Sequence, residues 1–193
     1  VQWPMPADTV LAGSNVTMTL AQESDAAELF AVLNHDLVWT HVRGRPNSAG
    51  ELAATLVAAN EVGRWPWVVR QGGAVVGTTS YLEVSPFDAR LEIGFTLYTQ
   101  SVWGTAVNPE CKLLLMTWAF EVSGMGRVQI KTDIRNLRSQ GAIARLGATK
   151  EGVLRQYQRR QDGSVRDSVM YSVLADEWPA VKAGLLERLE NSN

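Results

Sequence analysis

The stretch VWGTAVNPECK, residues 102–112, decides how this chain is read. It lies between a strand-like run, ARLEIGFTLY (89–98), and a long apolar helical run, CKLLLMTWAFEVSG (111–124). Asn108 stands where a helix N-cap is expected, and Pro109 follows at the favoured first helical position. Free backbone N–H groups over 103–108, with the helix dipole behind them, would form an anion site. The loop has one glycine, Gly104, where phosphate-cradling loops usually have several, and Glu110 already complements the dipole. On these features alone an ordinary capped strand-to-helix turn is the favoured account.

Working outward, NVTMTLA (15–21) alternates as a strand, SDAAELFAVLN (24–34) has a Ser cap and helical spacing, and 35–48 reads as a loop. A helix follows over 49–62. RWPWVVRQGGAVVGTTSYLEVS (64–85) is two β runs joined at Gly72-Gly73, a tight hairpin signal. Beyond the opening stretch, where Leu113, Leu114, Met116, Ala119 and Phe120 suit a buried helix face, GRVQIKTDI (126–134) is a strand. NLRSQGAIARLG (136–147) is a helix closed by Gly147. Runs 149–160 and 164–174 flank the hairpin signal Asp162-Gly163, and 176–190 is an amphipathic terminal helix. Residues 1–15 read as a leader packed on the surface or loose, 16–175 as one domain, and 176–193 as a C-terminal helical segment.

The order β α α β β β α β α β β α requires a parallel pair in the middle and antiparallel hairpins on either side. That is an α/β (α+β) fold: a mixed sheet of about seven strands with helices on both faces. Such sheets bind extended ligands where two strands diverge beside a helix N-terminus.

Composition narrows the function. Lys and Arg number 18 against 20 Asp and Glu, so no basic bias points to nucleic acid. A local patch, LRQYQRRQ (154–161), reads as a solvated face or the rim of an anionic ligand site. The single cysteine, Cys111, excludes an intrachain disulfide and a cysteine metal cluster, and its helical setting marks a buried structural thiol. Two histidines, His35 and His41, are too few for His-rich zinc patterns, so no metal is expected. The absence of a signal-like N-terminus or an apolar run near 18 residues predicts a cytoplasmic protein without membrane contact.

A second motif supplies the context the first lacks. In DIRNLRSQGAIARLG (133–147), Asn136 and Ser139 both point toward the N-terminal end of one helix, and Gly141 permits close approach. Joined to Trp103-Gly104-Thr105-Ala106-Val107-Asn108 and to EGVLRQYQRRQDGSVRDSVMYSV (151–173), it resembles the GNAT acyltransferase superfamily, in its RimJ/RimL-like branch. The likeness runs from about Val16 to about Val173.

That resemblance implies acylation of a protein N-terminus or small amine by acetyl-CoA in a ternary complex, without metal or covalent intermediate. It places the CoA pyrophosphate on Trp103, Gly104, Thr105, Ala106, Val107 and Asn108. Here Trp103 replaces a basic or amide residue, Ala106 a glycine, and Asn108 a small residue. Ala106 then requires a negative φ. The pantetheine arm would pair with Phe95, Thr96 and Leu97 and touch Asn136. Ile143 stands where many members have a tyrosine acid, and the serine that the branch places three residues after the motif asparagine falls on Ser139, which would protonate the thiolate. Gln158 stands where the branch has a glutamate base, so Glu92 is the expected base, with Glu83 and His41 behind it. The loop 35–48 and hairpin 158–167 would select the acceptor, with Trp39, His41, Arg43 and Tyr81 lining its pocket. Another acyl-CoA such as succinyl-CoA, or a non-catalytic acyl-CoA-binding module, are the competing readings. An exposed terminal helix and strand edges are compatible with a homodimer.

Overall fold

The computed structural model describes residues 1–191. Among them, eight strands form one sheet in the order β1-β2-β3-β4-β5-β6-β8-β7. They are β1 Val10–Ala12, β2 Thr17–Leu20, β3 Arg64–Gln71, β4 Ala74–Ser85, β5 Arg90–Tyr98, β6 Arg127–Asp133, β7 Thr149–Arg159 and β8 Val165–Leu174. Of these strands only β5 and β6 pair in parallel. The tight hairpin at Gly72-Gly73 is present, with φ of +57° and +85°, values that glycine adopts without steric cost.

The eighth strand is the difference from the sequence expectation. Val10, Leu11 and Ala12 pair with Thr19, Met18 and Thr17, so part of the segment read as a surface leader belongs to the sheet. Trp3 packs edge-on against Trp65 and Trp118, and Met5 enters the core. Glu110 fixes the turn between β1 and β2: its buried carboxylate accepts the N–H groups of Ser14, Asn15 and Val16, each at 2.8 Å. A Cβ on Gly13 would lie 2.6 Å from that carboxylate, which is why a glycine stands there.

Helices α1 (Ala26–Leu33), α2 (Asp36–Trp39) and α3 (Ala49–Val57) cover one face. Their Leu29, Leu33, Leu52 and Leu56 pack with Val68, Val75 and Leu97. The expected loop 35–48 thus contains a short helix, begun by His35, whose Nδ1 accepts the N–H of Leu37 at 3.3 Å. Helices α4 (Val107–Thr117), α5 (Leu137–Ala144) and α6 (Trp178–Glu190) cover the other face.

Helix α4 begins earlier than expected and closes in a π turn, Trp118–Val122. Ala106, not Asn108, takes the capping position, and the Thr105 hydroxyl accepts the Val107 N–H at 3.3 Å. The buried face is therefore Val107, Cys111, Leu115, Met116 and Ala119, while Leu113, Leu114 and Phe120 are only half-buried. Burial pushes the Cys111 thiol up to about 12, which agrees with a structural role.

The parallel pairing is short. Arg90, Leu91 and Glu92 of β5 face Arg127, Val128 and Gln129 of β6, and from Ile93 onward the two strands separate. A bulge marks the start of the wedge, with Phe95 at φ +48° and a register shift between Thr78 and Ser80 on β4. A phenylalanine in the left-handed region is strained, and only a strong local requirement retains it. Its ring lies between Trp39, 6.1 Å away edge-on, and the Arg64 guanidinium, 3.9 Å away.

Candidate active site

One mouth of the wedge is the loop leading into α4. Trp103 and Thr105 N–H groups close turns on Gln100 and Val102. The N–H groups of Gly104, Ala106 and Asn108 have no protein acceptor among the described residues. Three orphan donors at a helix N-terminus favour an anion. Ala106 has φ −66°, as expected, so its methyl group imposes no backbone strain. Gly104 has φ +78° with open space around it. Glu110, which in the sequence weakened the anion reading, spends its carboxylate on the β1–β2 turn.

A cation reaches Trp103 from another element. Arg138, in the first turn of α5, holds its guanidinium 3.7 Å over the Trp103 ring. The Trp103 indole is itself fixed by donation to the Tyr98 carbonyl at 2.9 Å. Sequence reasoning missed Arg138. A signal existed, because a cation in the first turn of a helix opposes the dipole unless an anion is near.

Inside the wedge, the Phe95 and Leu97 side chains face the α1–α3 core, so what they offer a ligand is backbone. The Thr96 hydroxyl contacts Thr79 Oγ1 at 2.8 Å and accepts from the Lys112 ammonium at 3.2 Å. Lys112 is buried, and burial lowers it to about 8. Asn136 caps α5 by accepting the Ser139 N–H at 3.0 Å, its oxygen thereby engaged and its amide nitrogen left over. The Ser139 hydroxyl is half-buried and has no protein partner among the described residues.

Glu92 sits where β5 and β6 part, 5% exposed. Lys131 Nζ lies 2.8 Å from Glu92 and 2.6 Å from Glu83, with Gln129 Nε2 at 3.0 Å from Glu83. Burial raises the Glu92 carboxyl above its ordinary value, Lys131 opposes that rise, and Glu83 adds to it. Alternation along β6 explains the cluster: Arg127, Gln129, Lys131 and Asp133 share the face that α4–α6 leave uncovered, while Val128 and Ile130 enter the core.

The two segments expected to select an acceptor, the loop 35–48 and the hairpin 158–167, face each other across a cleft. The cleft, shallow and open to solvent, lies between residues 40–43 and 158–161, with Arg166 at its side. Gly44 N–H donates to Gln161 Oε1 at 3.0 Å and ties loop to hairpin. His41 and Gln158 line the cleft, and burial lowers the His41 imidazole below its ordinary value. Tyr81 does not line it. It is fully buried in the core and donates its hydroxyl to the Leu115 carbonyl at 2.7 Å. Trp39 is a packing residue too, nearly buried, its indole donating to the Leu33 carbonyl.

A family model described as an acetyltransferase (GNAT) domain matches residues 15–149. This chain belongs to the GNAT acetyltransferase family. A solved structure of a "putative acetyltransferase" from T. thermophilus is similar at 39% identity and TM-score 0.87, over 97% of this chain and 100% of that one. An "Uncharacterized N-acetyltransferase p20" from Bacillus licheniformis is 27% identical over 118 residues, which span 61% of this chain and 65% of that one. Mycobacterium smegmatis RimJ, solved with CoA-disulfide, has the same fold at TM-score 0.77 and 20% identity, over 93% of this chain and 91% of that one. Among the described residues of this GNAT protein, no helix is long and apolar enough to cross a membrane.

Proposed function

We propose that this protein transfers the acetyl group of acetyl-CoA to a primary amine by direct attack in a ternary complex, in the manner of the RimJ/RimL-like branch. The observation that carries this reading is the wedge between β5 and β6, which opens beside three orphan N–H groups at the start of α4. Acetyl-CoA supplies the activated thioester. The Gly104, Ala106 and Asn108 N–H groups hold its pyrophosphate, with Arg138 adding charge. The free edge of β5 from Phe95 to Leu97 and the Asn136 amide orient the pantetheine arm. Glu92 takes the proton of the attacking amine, directly or through water, and Lys131 holds that carboxylate in place. The Ser139 hydroxyl gives its proton to the departing thiolate. His41, whose imidazole burial lowers below its ordinary value, stands on the acceptor side.

Thermal shift with CoA and with acetyl-CoA tests the cofactor site, and thiol release with N-terminal peptides, polyamines and amino-sugars tests catalysis. No stabilisation by either form of CoA would overturn the proposal. One observation favours a second reading, a non-catalytic acyl-CoA-binding module: Glu92 is ion-paired and Gln158 cannot take a proton. Stabilisation by CoA without thiol release from any amine would select it.

A further inference from the structure

We infer that the acceptor carries an anionic group, a carboxylate or phosphate, close to its amine, and that Arg166 is the residue that selects for it. The inference rests on the acyltransferase reading for the position of the amine. Four arginines line the acceptor cleft, Arg43, Arg159, Arg160 and Arg166, and no acid does. One of them is neutralised: buried Asp133 takes both Nε and Nη2 of Arg160, at 2.7 and 3.0 Å. Nearby acids are also committed, Asp162 to Ser164 and Asp167 to the Gln156 N–H. Arg43 and Arg159 are exposed, so solvent satisfies them.

Arg166 differs. It is half-buried, and its Nε donates to Ser168 Oγ at 2.9 Å. Its terminal nitrogens have no partner among the described residues. A guanidinium partly removed from water, with its planar fork unfilled, matches the geometry of a carboxylate or phosphate. It lies within electrostatic range of Glu92 as well as of Arg43, Arg160 and Asp133. An anion held there leaves the attached amine on the face of the sheet that carries the proposed base.

The shared chemistry has two sources, a free amine bearing its own acid group or a peptide N-terminus followed by an acidic residue. The full chain, saturated with CoA, is titrated calorimetrically with matched pairs: Ser-Asp-Ala amide against Ser-Asn-Ala amide, and ethanolamine phosphate and serine against ethanolamine and serinamide. Thiol release from acetyl-CoA is measured on the same set. The anionic member should bind about 10- to 100-fold more tightly in at least one set. Arg166→Gln should erase that preference, Arg166→Lys should keep part of it, and Arg155→Gln, on exposed surface outside the cleft, should leave it intact. A preference confined to peptides assigns the acidic residue, and one confined to small amines assigns the free acceptor. Equal affinity within every pair, no binding by any, or a preference that survives in folded Arg166→Lys and Arg166→Gln alike would overturn the inference. Anionic preference without thiol release would instead overturn the acyltransferase reading and leave the role of Arg166 standing.

Discussion

Lys131→Met should move the acidic limb of the activity–pH profile upward. In the native chain the ammonium lies 2.8 Å from Glu92, which is 5% exposed. At an effective dielectric of about 20, that separation corresponds to an attraction of about 6 kcal/mol, an upper bound. Opposite charges at this range usually lower a carboxyl by about 1 to 3 pH units. Burial already raises Glu92 above its ordinary value, and Glu83 works in the same direction. Removing Lys131 leaves both raising effects opposed only by the hydrogen bond from Gln129. The base form of Glu92 appears as pH rises through its folded value, so kcat/KM should reach its plateau at higher pH in the variant. Stability depends on the same proton. A carboxyl raised on folding favours the folded state fully below its unfolded value, and that contribution is lost as pH rises through the folded value. The methionine variant extends the loss to higher pH. Its melting temperature should therefore fall further below the native one at pH 8 than at pH 5. The profile is read by thiol release and the melts by circular dichroism. A folded variant whose limb stays in place would refute the assignment of Glu92 as the base held by Lys131. Glu92→Gln should remove the limb altogether.

Other outcomes follow from single contacts. Ser139→Ala should lower kcat by about 100-fold with little change in CoA affinity, and an unchanged rate would remove Ser139 as the acid. Arg138→Ala should weaken CoA binding by about tenfold, measured by titration calorimetry; an unaltered Kd would show that the guanidinium over Trp103 meets solvent only. Glu110→Ala orphans three N–H groups bound at 2.8 Å and should cost about 3 kcal/mol, after water satisfies the outermost. Gly13→Ala, which drives a methyl group into the same carboxylate, should destabilise in the same direction, and the two changes combined should cost less than their sum.

What the sequence disclosed was what is local. Hairpin glycines, capping residues and alternation place seven strands and all the longer helices, because each signal lies within a few residues of its effect. The strand Val10–Ala12 is invisible by that route. Three residues carry no period, and the group that fixes their turn, Glu110, lies nearly a hundred positions away. Tyr81, expected at the acceptor pocket, instead enters the core directly after the polar run Thr78-Thr79-Ser80. All three are buried in a strand covered on both faces, their hydroxyls engaging the Trp67 carbonyl, Thr96 and Arg64. Ser139 was named only through the family resemblance and His41 by its place in the loop 35–48, and both are half-buried. Arg166 was not legible, because its meaning lies in missing partners, and only three dimensions show what a side chain fails to touch.

Missing contacts also explain how the loop before α4 can depart from its family at three positions. A glycine is required only where φ is positive or a side chain would collide. Ala106 meets neither condition, with φ −66°, and Gly104 keeps the one left-handed position. Asn108 contributes its backbone N–H from within the helix, so its side chain is free to vary. Trp103 stands where a basic or amide residue is expected, and its ring is the surface on which the Arg138 guanidinium rests, so a charge on the neighbouring helix stands beside the loop. The two positions are therefore coupled. Trp103→Gln with Arg138→Ala should lose less CoA affinity than the separate losses predict, because the first change already unseats the guanidinium. Losses that add would mean that Trp103 and Arg138 act on the cofactor independently.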